Sequence, residues 1–338
     1  MSVIEAPTRP TVVSDSELEH FRQAVKRINE LLHRVIVGQE HVVESVVWAV
    51  LLQGHVLLEG VPGLGKTVLM SSLGQAMGLQ ASRVQFTPDL MPADILGTRM
   101  IEQDERGSIR FTFEKGPVFT QILLADEINR ATPKTQSALL EAMQERRVTI
   151  AGTTHRLPEP FIVMATQNPI EQEGTYPLPE AQLDRFLFKL IVRFPTELEL
   201  IEIARRTVMG EMGTMRLEPA VSAAELMQWS AMIRSIPVPT DVIQHAARII
   251  LASHPDEKRL EPKIAAWIRY GASPRGLQAL TSAARLRAVL AGRTAVRRDD
   301  VNDVAAPCLR HRILLSFEAE SEGITADRVI EEILKRNP

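Results

Sequence analysis

The chain has 338 residues, enough for two domains, and its 45% hydrophobic and 24% charged residues are ordinary for a soluble globular protein. A net charge of -3 argues against nucleic acid held by bulk electrostatics. The single cysteine (Cys308), the lack of an apolar run of the ~18 residues that a membrane span needs, and the lack of a signal-peptide core in residues 1–13 together predict a cytoplasmic protein without a membrane span.

The first predicted elements are two helices that follow a flexible tail over residues 1–13. Ser14 and Glu17 have the spacing of a capping box, which predicts a helix after them. A second helix is predicted up to about Gln53. The apolar run at 55–59 then predicts a short buried strand.

A phosphate-binding loop follows this strand directly. The sequence matches G-x-x-x-x-G-K-[ST] in the residues Gly60, Val61, Pro62, Gly63, Leu64, Gly65, Lys66 and Thr67. A helical pattern over 66–77 completes the strand–loop–helix context that such a loop requires. The glycines let backbone N–H groups approach phosphate oxygens, Lys66 would reach the outer phosphates, and the Thr67 hydroxyl would bind magnesium. That context disfavours the alternative, a glycine-rich turn that binds nothing.

The remaining elements predict two domains. Apolar runs predict strands at 83–86, 121–127, 161–166 and 188–194, and turn signals predict hairpins at 99–113 and 148–158. Helical patterns alone follow, near 196–209, 222–235, 240–254, 274–291, 298–312 and 325–336. We therefore predict an α/β nucleotide-binding core over 14–195, with a parallel sheet between helices, and an all-helical domain over 196–338.

Two acids, Asp126 and Glu127, end the predicted strand at 121–127. In a parallel sheet the carboxyl ends of the strands face the ligand crevice, where the phosphate loop also opens. We expect Asp126 to hold magnesium, mostly through water, and Glu127 to orient and polarise an attacking water. The alternative, a pair of solvated acids, is disfavoured by their position ~60 residues after the loop. The pair also favours a hydrolase, because a small-molecule kinase needs no glutamate poised for water.

Four further side chains are candidates, and three of them have an ordinary alternative. Asn168, after the next strand, could hydrogen-bond the attacking water or the γ-phosphate, or simply form a turn. Arg185 could act as an arginine finger in a neighbour's site, or pair locally with an acid. Arg275 could contact phosphate from the first turn of a helix, or be a solvated arginine there, which the helix dipole mildly disfavours. Arg130, beside the acid pair, is a further candidate contact across an interface.

Together these motifs resemble those of the MoxR family of AAA+ ATPases over about residues 20–315. Residues 59–67 and 124–131 are similar to its Walker A and Walker B motifs, and 271–275 is similar to its sensor 2. The most specific segment, 165–186, resembles its sensor-1 and arginine-finger region. The resemblance implies an AAA+ core with a helical lid that uses ATP and Mg2+. Val37 and Gly38 are added as candidate contacts near the nucleotide base.

The resemblance also implies an assembly. The active form would be a homo-oligomeric ring, expected to be hexameric, in which Arg185 reaches the ATP of a neighbour. Arg275 would act in its own or in the neighbouring subunit, and the two hairpins would face the central channel. Members of the family typically act with a protein that has a von Willebrand factor A domain, and insert metals or cofactors into a protein client or assemble it.

Three other functions remain open. A nucleic-acid motor is disfavoured by the mildly acidic chain and by the mixed charges of the hairpins. A magnesium-chelatase-like motor subunit would share the partner arrangement but serve a small-molecule product. A non-hydrolysing, nucleotide-gated scaffold would have no need of Glu127. We therefore expect a magnesium-dependent, chaperone-like ATPase.

Overall fold

The structure is a computed structural model that describes residues 14–61, 63–103, 109–169, 174–209, 216–256 and 260–337. Several predictions lie outside the described residues: the tail at 1–13, Pro62 of the loop, the turn at 104–107, and 170–173 within the segment similar to sensor 1.

The elements follow the predicted order. The strands are β1 (Val56–Glu59), β2 (Ala81–Gln85), β3 (Gly97–Gln103), β4 (Ile109–Lys115), β5 (Ile122–Asp126), β6 (Arg147–Ile150), β7 (Thr153–Arg156), β8 (Ile162–Gln167), β9 (Phe188–Ile191), β10 (Ile268–Tyr270) and β11 (Leu314–Leu315). The helices are α1 (Asp15–Val35), α2 (Glu40–Leu51), α3 (Lys66–Ala76), α4 (Pro92–Leu96), α5 (Pro133–Glu145), α6 (Glu180–Leu183), α7 (Glu197–Val208), α8 (Ala223–Ser235), α9 (Thr240–Ala252), α10 (Pro262–Trp267), α11 (Pro274–Leu290), α12 (Arg298–Asp303), α13 (Ala305–Leu309), α14 (Phe317–Ser321) and α15 (Ala326–Arg336).

The chain forms two compact units. The first spans Arg27–Leu226, and the second combines the residues up to Lys26 with those from Met227 onward. Helices α1 and α8 each cross this division. The units are therefore divided differently from the domains expected from the sequence, whose boundary at 195/196 stays a prediction.

A five-stranded parallel sheet is the centre of the first unit, in the order β2-β5-β8-β1-β9. The apolar residues of β1, β5 and β8 are buried, as expected for strands covered on both faces. The register places Gln85 beside Asp126 and Glu59 beside Gln167, so the carboxyl ends of four strands meet at one edge. This edge is where the phosphate loop begins.

Both predicted hairpins are present in this unit, as the antiparallel pairs β3–β4 and β6–β7. An aromatic cluster joins them. His155 of β7 stacks on Phe113 of β4 at 4.1 Å between ring centroids, and Phe119 packs edge-on against both rings.

The second unit is mainly helical and has a small β10–β11 sheet that the sequence pattern did not predict. Strands of three and two residues are too short to show a period. The helix predicted over 298–312 is two helices, because Pro307 lacks an N–H group and its ring clashes with the carbonyl four residues back, at Asp303. None of the helices in the described residues has both the length and the apolar character that a membrane crossing needs.

Candidate nucleotide site

The phosphate loop joins the buried strand β1 to the start of α3. Gly63 and Gly65 have φ of 82° and 75°, in the left-handed region that favours glycine, and a Cβ on either would meet nothing within 4 Å. Gly60 is constrained differently, because its Cβ would lie 2.7 Å from the Val192 carbonyl oxygen just after β9. The loop therefore packs closely at its base and leaves open space over its two later glycines.

Lys66, the first residue of α3, turns back over the loop. Its Nζ donates a hydrogen bond to the Gly60 carbonyl at 2.6 Å. Burial lowers the pKa of Lys66, while the charges of Asp126 and Glu127 oppose that shift. Two acids are thus within electrostatic reach of a partly desolvated ammonium group. An anion bound in the loop would stabilise that charge and replace the carbonyl contact.

Asp126, the last residue of β5, has donors on both carboxylate oxygens. The Thr166 hydroxyl of β8 donates to Oδ1 at 2.6 Å. Arg83 of β2 donates to Oδ2 from Nη2 at 2.6 Å and from Nε at 3.2 Å. The Asp126 side chain is 16% exposed and that of Arg83 is 45% exposed, so the ion pair lies at the rim of the site.

Glu127 follows with a left-handed backbone, φ 56° and ψ 49°. For a residue with a side chain this conformation is uncommon, and it is often found where a side chain has to be aimed. The Thr166 hydroxyl accepts a hydrogen bond from the Glu127 backbone N–H at 2.8 Å. Glu127 Oε2 accepts from Gln85 Nε2 at 2.7 Å and pairs with Arg130 Nε at 3.2 Å. Both acids are therefore held in defined positions.

Comparison with known proteins decides the family. A profile described as "ATPase family associated with various cellular activities (AAA)" matches residues 55–188, and an AAA lid domain matches 263–333. The "Chaperone MoxR1" of Mycobacterium tuberculosis is 44% identical over 98% of this chain and 85% of its own length. The "Protein MoxR" of Paracoccus denitrificans is 33% identical over 92% of this chain and 95% of its own.

The chain belongs to the MoxR family of AAA+ ATPases. A crystal structure of a candidate ATPase from Cytophaga hutchinsonii has the same fold, with a TM-score of 0.87, 38% identity, and coverage of 95% of this chain and 96% of the other. The predicted family and fold class are thus confirmed. The site residues assigned within this MoxR-family chain stay predictions, and the structure shows where each of them lies.

In this MoxR-family chain Asn168 follows a residue bonded to the loop, and the Val37–Gly38 segment lies beside α7. The Gly60 N–H donates to the carbonyl of Gln167 at 3.2 Å, so the buried Asn168 directly follows a residue bonded to the start of the loop. Gly38 lies against the start of α7, where an added Cβ would collide with the Glu199 carboxylate. Glu199 is itself fixed by its capping box with Thr196.

The two arginines of the predicted site are in different units. Arg185 lies behind α5, where its guanidinium Nη1 donates to the Leu140 carbonyl at 2.7 Å and its Nε is buried without a hydrogen-bond partner. It lines a cavity of about 650 Å³ formed with α5 and the β6–β7 hairpin. Arg275 belongs to the second unit, exposed in the first turn of α11, where its backbone N–H donates to the Ser273 hydroxyl at 3.1 Å. The hydrogen bond of Arg185 is thus to α5 and not to the acids bonded to Thr166.

The donors at the site fit a magnesium ion that arrives with nucleotide. Over the described ranges, no three His, Cys, Asp or Glu side chains are grouped as a closed metal site. Magnesium bound with a nucleotide takes most of its ligands from phosphate and water and needs only one or two hard oxygen donors from protein. The Thr67 hydroxyl and the Asp126 carboxylate are such donors.

Three residues that hold the acids were not identified from the sequence: Arg83, Gln85 and Thr166. Each lies on a strand adjacent to β5 in the sheet or at the end of such a strand. A usable signal was present, because polar residues at the carboxyl ends of predicted parallel strands converge on the same edge as Asp126.

Proposed function

We propose that this chain is a magnesium-dependent ATPase that assembles into a ring and works as a chaperone-like motor on a protein client. The observation that supports hydrolysis is the position of Glu127. Its carboxylate is held by side-chain donors, and its charge, together with that of Asp126, opposes the lowering of the Lys66 pKa that burial causes in the phosphate loop. A glutamate held beside the phosphates can orient and polarise a water for attack on the γ-phosphate.

The other residues would divide the remaining tasks. Backbone N–H groups of the loop and Lys66 would bind the phosphates, and Val37 and Gly38 would lie near the base. Thr67 and Asp126 would hold Mg2+, which when bound neutralises phosphate charge in the transition state. Asn168 would provide a second polar contact to water or phosphate.

The arginines would act from outside the acid cluster. Arg185, at the cavity behind α5, would reach the ATP of the next subunit in the ring, which we propose to be hexameric. Arg275 would contact phosphate from the lid, in the same or the neighbouring subunit. We propose no role for Arg130 beyond its ion pair with Glu127.

The partner is proposed from family membership and from the names of similar proteins. A relative called "Chaperone MoxR1" supports a protein client. We propose that the ring works in the cytoplasm with a separate protein that contains a von Willebrand factor A domain, and that together they insert a metal or cofactor into the client or assemble it.

Nucleotide binding is tested first, with Lys66→Ala. Loss of the ammonium group removes the main charge facing the outer phosphates, so ATP affinity should fall by roughly a hundredfold, the ~3 kcal/mol of a charge-assisted hydrogen bond. Lys335→Ala, at an exposed lysine in α15, is the matched control and should bind as the parent does. Unchanged ATP affinity in Lys66→Ala would show that the loop has been misassigned.

The client is tested with tagged Glu127→Gln protein held with ATP and Mg2+ in a lysate of the source cell. A von Willebrand factor A domain protein that is retained with ATP and released without it is the expected result. ATP-dependent, nuclease-sensitive retention of nucleic acid, without such a protein, would instead support the nucleic-acid motor. ATP-dependent retention of a chelatase subunit would support the magnesium-chelatase-like alternative.

A further inference from the structure

Arg83 connects the two acids of the site through one nitrogen. Its Nη2 donates to Asp126 Oδ2 at 2.6 Å and to Gln85 Oε1 at 2.9 Å. The amide of Gln85 in turn donates to Glu127 Oε2 at 2.7 Å. An unbroken chain of hydrogen bonds therefore runs from the proposed magnesium ligand to the proposed water-activating glutamate.

Arg83 also occupies acceptor positions that a hydrated magnesium ion would use. A carboxylate offers about four lone-pair positions. On Asp126, Arg83 Nε and Nη2 both donate to Oδ2, and the Thr166 hydroxyl donates to Oδ1. Waters of a magnesium ion would need to donate to the same carboxylate. A second cation beside the guanidinium would also be repelled by it.

The Arg83–Asp126 pair is suited to exchange rather than to permanent support of the fold. The Arg83 side chain is 45% exposed, and exposed ion pairs contribute little to stability because water and salt screen them. The buried Thr166 hydroxyl holds Asp126 independently from the other side. Asp126 would therefore keep its position when Arg83 moves away.

We propose that Arg83 is a positioning residue that competes with Mg2+ for Asp126. This inference rests on the proposed function. When Mg2+ arrives with nucleotide, Arg83 withdraws from Asp126 and no longer fixes Gln85. Gln85 then loses one of its hydrogen-bond partners, while Arg130 still pairs with Glu127. Without the metal, the chain of hydrogen bonds from Asp126 to Glu127 stays intact.

The test measures magnesium affinity rather than turnover. Binding of the fluorescent, non-hydrolysable ATP analogue mant-AMP-PNP is followed while free Mg2+ is varied, with EDTA as the metal-free baseline. Arg83→Gln removes the competing cation, so the Mg2+ concentration at half-maximal binding should fall roughly three- to fivefold, the range of an exposed ion pair. Arg83→Lys keeps the charge and should remain near the parent value.

Arg205→Gln is the matched control, since that arginine is 47% exposed and pairs with Glu202 on α7. It should leave the Mg2+ requirement unchanged. If analogue binding by the parent requires Mg2+ and the Arg83→Gln variant requires the same Mg2+ concentration or more, the competition is overturned while the proposed metal role stands. If analogue binding by the parent does not depend on the Mg2+ concentration, both this inference and the proposed metal role are overturned.

Discussion

The hydroxyl of Thr166 contacts both acids of the nucleotide site. It donates to the Asp126 side chain and accepts from the Glu127 backbone, and the residue is fully buried. In Thr166→Val the shape is kept but both hydrogen bonds are lost, so Glu127 loses the contact that holds its left-handed backbone. Steady-state ATP turnover should fall roughly ten- to a hundredfold, the effect of losing ~1–3 kcal/mol.

Thr166→Ser separates positioning from packing. The serine keeps the hydroxyl but removes a buried methyl group, so it should lose about 1 kcal/mol of stability and still turn over ATP within about threefold of the parent. Turnover by Thr166→Val close to that of the parent would show that the hydroxyl does not position the acids.

The buried ring of His55 makes the stability of the first unit depend on pH. The fully buried ring accepts a hydrogen bond at Nδ1 from the Val163 N–H at 3.0 Å, and its Nε2 donates to the Met143 carbonyl at 3.1 Å. Burial lowers the pKa of His55 from 6.5 to about 4. The folded state therefore holds the neutral ring, and the stability this provides is complete above pH 6.5 and is lost as the pH falls toward 4.

The variant His55→Gln tests this dependence by chemical denaturation at several pH values. The shift corresponds to roughly 3 kcal/mol lost from the parent between about pH 6.5 and 4. His55→Gln should show a flatter profile over the same range. His41→Gln, at an exposed position in α2, should keep the parent profile. A parent and a His55→Gln variant with the same slope would contradict the assignment.

At the scale of elements, the aromatic cluster joins the two hairpins. Phe113→Ala removes the ring on which His155 stacks and the edge contact with Phe119, each such pair contributing ~0.5–1.5 kcal/mol. Amide hydrogen exchange in β6 and β7 should accelerate roughly three- to tenfold. Phe111→Ala, two residues away at a position 56% exposed, is the control and should leave that exchange unchanged. Equal exchange in both variants would show that the hairpins are independent.

The elements also show how far sequence reasoning reaches. The strand and helix around the phosphate loop and the capping box of Ser14 with Glu17 are local, so their residues predicted them and the structure has them. The contacts of Arg83 with Asp126 and of Thr166 with Glu127 depend on which strands are neighbours in the sheet. Contacts between residues so distant in sequence produce no hydrophobic periodicity, and strands as short as β10 and β11 produce almost none.

At the scale of the whole molecule, the position of Arg185 predicts an active site shared between subunits. Its guanidinium donates to the Leu140 carbonyl of α5 rather than to the acids that Thr166 holds. Arg185→Ala should bind ATP and turn it over at least roughly a hundredfold more slowly. Lys66→Ala subunits keep Arg185, so mixing the two variants should restore part of the activity. Mixtures no more active than the separate variants, once subunit exchange has been verified, would argue against an arginine acting between subunits.

The proposed hydrolase activity depends on Glu127, and the variant Glu127→Gln removes its carboxylate alone. The amide fills the same space but cannot polarise water as a carboxylate does. Single-turnover hydrolysis of radiolabelled ATP should fall by at least about a hundredfold, while ATP affinity stays within about threefold of the parent. Glu320→Gln, exposed in α14, should hydrolyse normally. Hydrolysis by Glu127→Gln within a few-fold of the parent would contradict a water-activating role for Glu127.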